Sequence, residues 1–217
     1  TLKAETNSVE EVSRDWVHVS FAEDFPGAPV VLASVTTNHS PYPLATSVRN
    51  VSSSGFEISL KTEEKITAPV TPETISYLAI EPGKGMIDGK RIQVGISENV
   101  TNKATISVDS TYDQPVVFGG LLTSNNDFAS SLRYTQDEND AIHIHRLRES
   151  SGSLTAIQSD HMGWMVMDMT KDQSTGLTAY NLLSKDHNIS IYPNPVNRII
   201  YLNTNRVCKA EIFDLQG

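Results

Sequence analysis

Short runs of alternating apolar and polar residues recur along most of the chain. Val17, Val19 and Phe21 share one parity, with polar residues between them. A period of two sends successive side chains to opposite faces, so this pattern predicts half-buried antiparallel strands. Pro, Gly, Ser, Asn and Asp separate the runs, as in residues 25–29 and 137–140, and these residue types favour turns. No window has the period of a long amphipathic helix, so the pattern predicts an all-β chain.

The chain also contains an internal duplication. Residues 29–37 (PVVLASVTT) align with residues 115–123 (PVVFGGLLT), and residues 77–81 align with 164–168. The order of the matching blocks is kept throughout, which predicts two copies of one structural unit. Each copy holds about six strands, which is the size of a small β-sandwich.

The predicted fold class is therefore all-β, with two tandem six-stranded antiparallel β-sandwiches and the start of a small C-terminal β-sandwich. Opening strands are expected at residues 2–8 and 91–96. Residues 81–89, which are short and rich in glycine, are predicted to link the two repeats closely. The predicted boundaries are repeat 1 at 1–85, repeat 2 at 86–170, a linker at 171–186 and a C-terminal segment at 187–217.

Composition narrows the range of partners. The chain has 17 Lys and Arg against 26 Asp and Glu, which gives a formal net charge of −9. This balance argues against a nucleic-acid or anionic-membrane surface, because phosphates require clustered cations. No apolar run approaches the roughly 20 residues that span a bilayer. The single cysteine, Cys208, cannot form an intramolecular disulfide.

Catalysis has little support in the sequence. It contains no G-x-S-x-G motif, and nothing places Glu63, Glu64 or Glu73 as a pair across a substrate bond. Trp164 and Tyr77 occupy equivalent places on an apolar strand and are expected in the core. The chain is therefore expected not to be an enzyme.

Several segments of both repeats carry a resemblance to a known family. They are residues 19–21, 25–31, 48–51, 55–56 and 75–81. These segments resemble the H-type lectin domain, the six-stranded sandwich of snail agglutinins and discoidin tails, in its bacterial tandem form. The likeness spans roughly residues 2–170 and implies carbohydrate binding.

The family binds sugar with an Arg on the strand before a hairpin and a Trp-His pair after it. Arg133 falls on the Arg position of the second repeat, whereas the first repeat has Ser47 there and Arg49 two residues later. Glu63-Glu64 and residues 149–150 stand where Trp-His would fall, so the galactosamine-type specificity of the family is not carried over. This divergence favours one working site with a degenerate twin over two weak sites. Family sites often lie across a trimer interface, which implies a homo-oligomer.

The loops after the two PVV strands supply candidate sugar contacts, because sugar sites combine planar hydrogen-bonding side chains with an aromatic face. The candidates are Asn38, His39, Tyr42 and Arg49 in the first repeat and Asn125, Asp127, Phe128 and Arg133 in the second. The alternative is an ordinary surface loop whose Asn and Asp side chains satisfy turns. Arg133, Asn125 and Asp127 are the preferred contacts.

The C-terminal residues carry a second resemblance. The segments ISIYPNPV at 189–196, IIYLN at 199–203 and AEIFDLQG at 210–217 resemble the start of the C-terminal sorting domain of the type IX secretion system of Bacteroidetes. The resemblance implies the secretion machinery as a partner and a location outside the cell or on its outer surface. The family domain continues through further strands, so residues 187–217 are expected to be only its beginning.

No cofactor is predicted. His143 and His145 lie two apart on a strand and could bind a metal with His161, but ordinary solvent-facing histidines are favoured. The acidic turn at residues 137–140 could hold calcium, yet it lacks the ligand spacing of a calcium-binding loop.

The sequence thus predicts a secreted or cell-surface, non-catalytic carbohydrate-binding protein whose partner is a glycan or polysaccharide. Two alternatives remain open. The chain could be the accessory C-terminal part of a longer extracellular polysaccharide-degrading enzyme, since it opens on Thr1 without an initiator Met or a signal pattern. It could also be a structural adhesin or spacer without a sugar pocket.

Overall fold

The protein divides into two compact units, Thr1–Met169 and Thr170–Gly217. The computed structural model describes residues 2–87, 89–108, 112, 115–137, 141–148, 156–168, 190–192 and 201–203. Every regular element in these ranges is a β-strand, which confirms the prediction of an all-β chain. The same ranges contain no helix long and apolar enough to cross a membrane.

The first six strands form two three-stranded antiparallel sheets. The strands are β1 (Ala4–Val12), β2 (Val17–Ser20), β3 (Val30–Val35), β4 (Ala45–Arg49), β5 (Gly55–Lys61) and β6 (Glu73–Ile80). Their orders are β1-β6-β3 and β2-β5-β4. Val17 and Val48 both pair with Ile58 across the second sheet. These side chains therefore share the face that packs on the core, as the period-two pattern predicts.

The next seven strands repeat this arrangement and add one strand. They are β7 (Gly83–Ile87), β8 (Lys90–Val100), β9 (Lys103–Ile106), β10 (Pro115–Leu121), β11 (Ser130–Gln136), β12 (Ile142–Arg148) and β13 (Asp160–Asp168). Their orders are β10-β13-β8-β7 and β11-β12-β9. With β7 set aside, each position matches a strand of the first set in the same order. This strand order does not by itself establish the predicted division into two six-stranded sandwiches, which stays a prediction.

The opening strands of the two sets share a backbone irregularity. The β1–β6 register shifts between Val9 and Val12, and Glu11 has a φ of 57°. The β8–β13 register shifts between Asp160 and Met162, and Asn99 on β8 has a φ of 54°. A bulge thus lies at the same place in both sets, and such a bulge bends its strand and increases the local twist.

Three apolar clusters fill the first unit. One lies between the sheets of the first set and is centred on Phe56, Ile58 and Leu60. Another lies between the sheets of the second set and includes Trp164 with Ile142 and Ile144. Trp164 and Tyr77 are both buried, as predicted for core aromatics.

The third cluster joins the two sets. Its buried members are Val30, Ile80, Ile92, Val94 and Met165. They lie on the faces of β3, β6, β8 and β13 that point away from the first two clusters. Strands β3, β6 and β13 are therefore apolar on both faces, which explains why they include continuous apolar runs such as residues 77–80 and 164–167. We call these five residues the shared core.

Residues 83–87, predicted as part of a glycine-rich link, form strand β7 and pair with β8. This part of the predicted link is therefore a strand rather than a loop. A Cβ at Gly83 would lie 2.8 Å from the Leu2 side chain, and one at Gly85 would lie 3.3 Å from it. The glycines therefore let β7 run close to Leu2.

The second unit is described only by a two-stranded antiparallel pair, β14 (Ser190–Tyr192) and β15 (Tyr201–Asn203). The segments 189–196 and 199–203, which resemble a sorting domain, contribute these two strands. The predicted linker at 171–186 and the AEIFDLQG segment lie outside the described residues.

Gly163 on β13 offers a test of the packing between the two sets. A Cβ there would lie 2.8 Å from Val30 Cγ1 and 3.1 Å from Leu122 Cδ1. Gly163→Ala should lower the free energy of unfolding by about 1–3 kcal/mol, as overpacking of a core does, although alanine in a strand ordinarily stabilises relative to glycine. Urea denaturation measures this. Gly27→Ala is the control, because a Cβ there meets nothing within 4 Å. Equal or higher stability of Gly163→Ala would contradict the packing.

Candidate functional site

A buried carboxylate organises the loop after β3. Glu73 is the first residue of β6 and is 2% exposed. It accepts hydrogen bonds from Thr37 Oγ1 at 2.5 Å and from the backbone N–H groups of His39 at 2.8 Å and Ser40 at 2.6 Å. The Thr37 hydrogen bond, helped by the two N–H groups, holds the pKa of Glu73 below its usual value. We call this arrangement the carboxylate clamp.

The second set carries the same clamp. Asp160, the first residue of β13, accepts hydrogen bonds from Thr123 Oγ1 at 2.6 Å and from the Asn125 N–H at 2.9 Å. It also forms an ion pair with Arg146 at 2.9 Å, in which both side chains are buried. A buried carboxylate is costly unless it is paired and hydrogen-bonded, and both clamps meet this condition. The clamps therefore fix the loops in which the sequence predicts sugar contacts.

The predicted contacts of the first loop surround its clamp. Asn38 and His39 are exposed and Tyr42 is half-buried. The His39 ring nitrogen Nδ1 lies 3.1 Å from the Pro72 carbonyl, so part of this side chain is used within the loop. The structure does not bring these residues together with the predicted contacts of the second repeat in one cavity.

The predicted contacts of the second loop are more separated. Asn125 is exposed and its side chain donates to the Ser159 carbonyl at 2.7 Å. Phe128 is buried, with the guanidinium groups of Arg146 and Arg148 at 5.2 and 4.1 Å from its ring centroid. These contacts explain the position of the Phe128 ring without a bound ligand. Arg133 lies on the outer face of β11, away from this loop.

Arg49 and Asp127 are the two predicted contacts that line one groove. The groove has a volume of about 430 Å³. It is lined by residues of both sets of strands, namely Arg14, Trp16, Arg49, Ser59, Leu60, Lys61, Thr62, Glu63, Glu64, Ile66, Ser124 and Asp127. We call it the junction groove.

An aromatic ring and a guanidinium form one wall of the junction groove. Arg49 Cζ lies 4.0 Å from the centroid of the half-buried Trp16 ring. Arg49 Nε donates to Glu57 Oε2 at 2.5 Å, and this bond lowers the pKa of Glu57. The ion pair and the stacking together limit the rotamers of Arg49, so its planar group is held in place at the groove.

Lys61 ties the groove to the second set of strands. Its Nζ donates to Ser124 Oγ at 2.7 Å and to the Asn126 carbonyl at 2.5 Å. Burial lowers the pKa of Lys61. Ser47 Oγ donates to Ser124 Oγ at 3.1 Å. These bonds join β4 and β5 to the loop after β10, so the groove exists only where both repeats meet.

Sequence reasoning missed Trp16, Arg14 and Lys61 as groove residues. One signal was present in the pattern: Val17 and Ile58 point inward, so Trp16 and Ser59 share the outer face with Arg49. The contribution of Ser124 and Asp127 from the second repeat had no such signal, because the packing of the two repeats decides it.

The side chains of His143 and His145, two of the three histidines considered as metal ligands, are engaged in hydrogen bonds. His143 Nδ1 lies 3.0 Å from Thr105 Oγ1, and its Nε2 lies 3.1 Å from Asp137 Oδ2. Across the part of the chain that the structure describes, no three His, Cys, Asp or Glu side chains are grouped to hold a metal ion. Residues 138–140 of the acidic turn lie outside that part.

No family model, curated protein or solved structure matches the chain. The likenesses to H-type lectins and to the sorting domain therefore remain proposals.

The clamp predicts a pH dependence of stability. Because the pKa of Glu73 is lowered in the folded state, its contribution is present above the usual carboxyl pKa and is lost as the pH falls through the lowered value. The urea midpoint of wild type should therefore fall as the pH is lowered from about 5 to about 3. Glu73→Gln should have a lower midpoint at neutral pH and a flatter profile over this range. Glu10→Gln, at an exposed carboxylate on β1, should leave both unchanged. A Glu73→Gln profile parallel to that of wild type would rule out the role assigned to the clamp.

Proposed function

We propose that the protein is a secreted or cell-surface, non-catalytic carbohydrate-binding protein built from two H-type-lectin-like sandwiches. The first would comprise residues 1–85 and the second residues 86–170. The repeated strand order supports this division, since β1-β6-β3 and β8-β13-β10 correspond, as do β2-β5-β4 and β9-β12-β11. The equivalent bulges and carboxylate clamps support it further, because unrelated sheets would not be expected to share them.

The junction groove is the observation that carries the proposal. A pyranose ring has an apolar face and a rim of hydroxyl groups, so a sugar site combines an aromatic ring with fixed donors and acceptors. Trp16 supplies the ring, Arg49 supplies donors, and the exposed Asp127 supplies acceptors. Its volume of about 430 Å³ lies within the range of small-molecule sites.

A glycan chain is favoured over a small apolar ligand because the groove is lined mainly by polar and charged side chains. Binding without cleavage is the function that we propose for this groove.

Export by the type IX secretion system forms the second part of the proposal. It rests on the YPNP-containing segment and the strands that follow it in sequence. The pairing of β14 with β15, which flank residues 193–200, supports a β-structured C-terminal segment. Location outside the cell would give the junction groove access to polysaccharide.

A glycan array followed by titration calorimetry tests the sugar site. Trp16→Ala and Arg49→Ala should each weaken the best array ligand by about tenfold or more, equivalent to about 1.4 kcal/mol, because each removes one wall of the groove. Trp16→Phe should restore part of the affinity by returning an aromatic face.

Two matched variants control this experiment. Phe118→Ala removes an exposed aromatic on β10, and Lys84→Ala removes an exposed cation on β7; neither residue lines the groove. Both should bind as wild type does. An array on which wild type binds no glycan would favour the spacer alternative. If Trp16→Ala binds as wild type does and Arg133→Ala loses affinity, the sugar site lies on the outer face of β11 instead.

A further inference from the structure

Three basic side chains form a row across one sheet of the second repeat. Arg133 on β11 pairs in register with His145 on β12, and His145 pairs with Lys103 on β9. Residues directly opposite each other in antiparallel strands have Cβ atoms about 4.5–5.5 Å apart on the same face. We call these three residues the basic row.

The row lies on the outer face of its sheet. The neighbouring positions Ile142 and Ile144 are buried in the core, so the alternating parity of β12 sends His145 outward. Arg133 and Lys103 are exposed and His145 is half-buried. The row is therefore accessible along its whole width.

The two outer cations of the row differ from the other described arginines of the first unit. Arg14, Arg49, Arg91, Arg146 and Arg148 each contact a carboxylate, hydroxyl or carbonyl oxygen. Arg133 and Lys103 make no ion pair or side-chain hydrogen bond with any residue in the described ranges. Two cations that flank His145 without an internal partner repel each other, and an external anion bound between them would offset that repulsion.

Side chains beside the basic row on the same face hold the imidazole of His145, its middle residue, in position. Thr135 Oγ1 lies 3.0 Å from His145 Nε2. His143, whose ring centroid is 6.4 Å from that of His145, contacts both Thr105 and Asp137. The Asp137 carboxylate is thus engaged with His143.

We propose that the basic row is a binding site for the anionic substituent of a polysaccharide, a sulfate ester or a uronate carboxylate. Arg133 would bind two oxygens of the anion with its planar guanidinium, and Lys103 and His145 would contact the remaining oxygens. The site goes beyond the proposed sugar groove, because it recognises charge rather than a ring face. The equivalent positions of the first repeat, Ser59 and Ser47, carry no charge, so the proposal concerns the second repeat alone.

The net negative charge of the chain favours an anionic polysaccharide over nucleic acid as the ligand of this site. The chain as a whole carries a formal charge of −9, and a duplex surface requires cations spread over many phosphates. A single row of three side chains matches one substituent at a time. Repetition of the substituent along a polymer then raises the apparent affinity.

The test is a titration of the full chain with dextran sulfate, polygalacturonate and uncharged dextran. Dextran sulfate or polygalacturonate should bind about tenfold or more tighter than uncharged dextran, and the stronger of the two identifies the substituent. Arg133→Ala and Lys103→Ala should each weaken binding by about tenfold. Lys84→Ala makes the same change in net charge on β7 and should bind as wild type does.

Two results would overturn the proposal. One is an equal loss of affinity in Lys84→Ala and Arg133→Ala, which would mean that net charge alone governs binding. The other is duplex DNA binding as tightly as dextran sulfate, which would mean a general polyanion surface. Neither result bears on the junction groove, which is tested separately by the affinity of the Trp16 variants for neutral glycans.

Discussion

Burial of the shared core is the constraint on which the rest of the first unit depends. Val30 and Ile80 come from the first set of strands, and Ile92, Val94 and Met165 come from the second. Because β3, β6 and β13 are apolar on both faces, a shift of one residue in any of them would exchange two apolar surfaces that pack against different partners. Their registers and the approach of the two sets are therefore set together. The junction groove follows from that approach, since Lys61 of the first set donates to Ser124 of the second set beside the groove.

The two repeats share the same internal structural features and differ in the residues on their outer faces. Both have the bulge of the opening strand and the carboxylate clamp, and each clamp satisfies a buried carboxylate that would be costly without partners. Ser47 corresponds to Arg133 in the alignment, and the structure gives a physical reason for the difference. Ser47 is buried beneath the loop that carries Ser124, whereas Arg133 is exposed. Packing of the second repeat on the first thus accounts for a divergence that the sequence suggested was loss of a site.

Much of the strand pattern could be predicted from the sequence because half-buried strands alternate in polarity, as in Val17 to Phe21. The alignment of residues 29–37 with 115–123 likewise indicated equivalent strands β3 and β10. Contacts between the repeats could not be predicted in this way. Trp16 and Arg49 are separated by more than one strand and meet through the register of β2, β5 and β4, and Asp127 reaches the groove through the shared core. Continuous apolar runs such as Val30–Leu32 were the one local sign of two-sided burial, and a short apolar run of this kind does not identify its partner.

Hydrogen exchange under native conditions tests the shared core most directly. Met165→Ala removes a buried side chain of the second repeat that packs in this core, a truncation that ordinarily costs about 2–5 kcal/mol. If the two sets of strands unfold as one body, the free energy of opening should fall by the same amount for the amides of β6 in the first repeat and of β13 in the second. A fall confined to the amides of the second repeat, with β6 unchanged, would contradict the shared core and with it the junction groove.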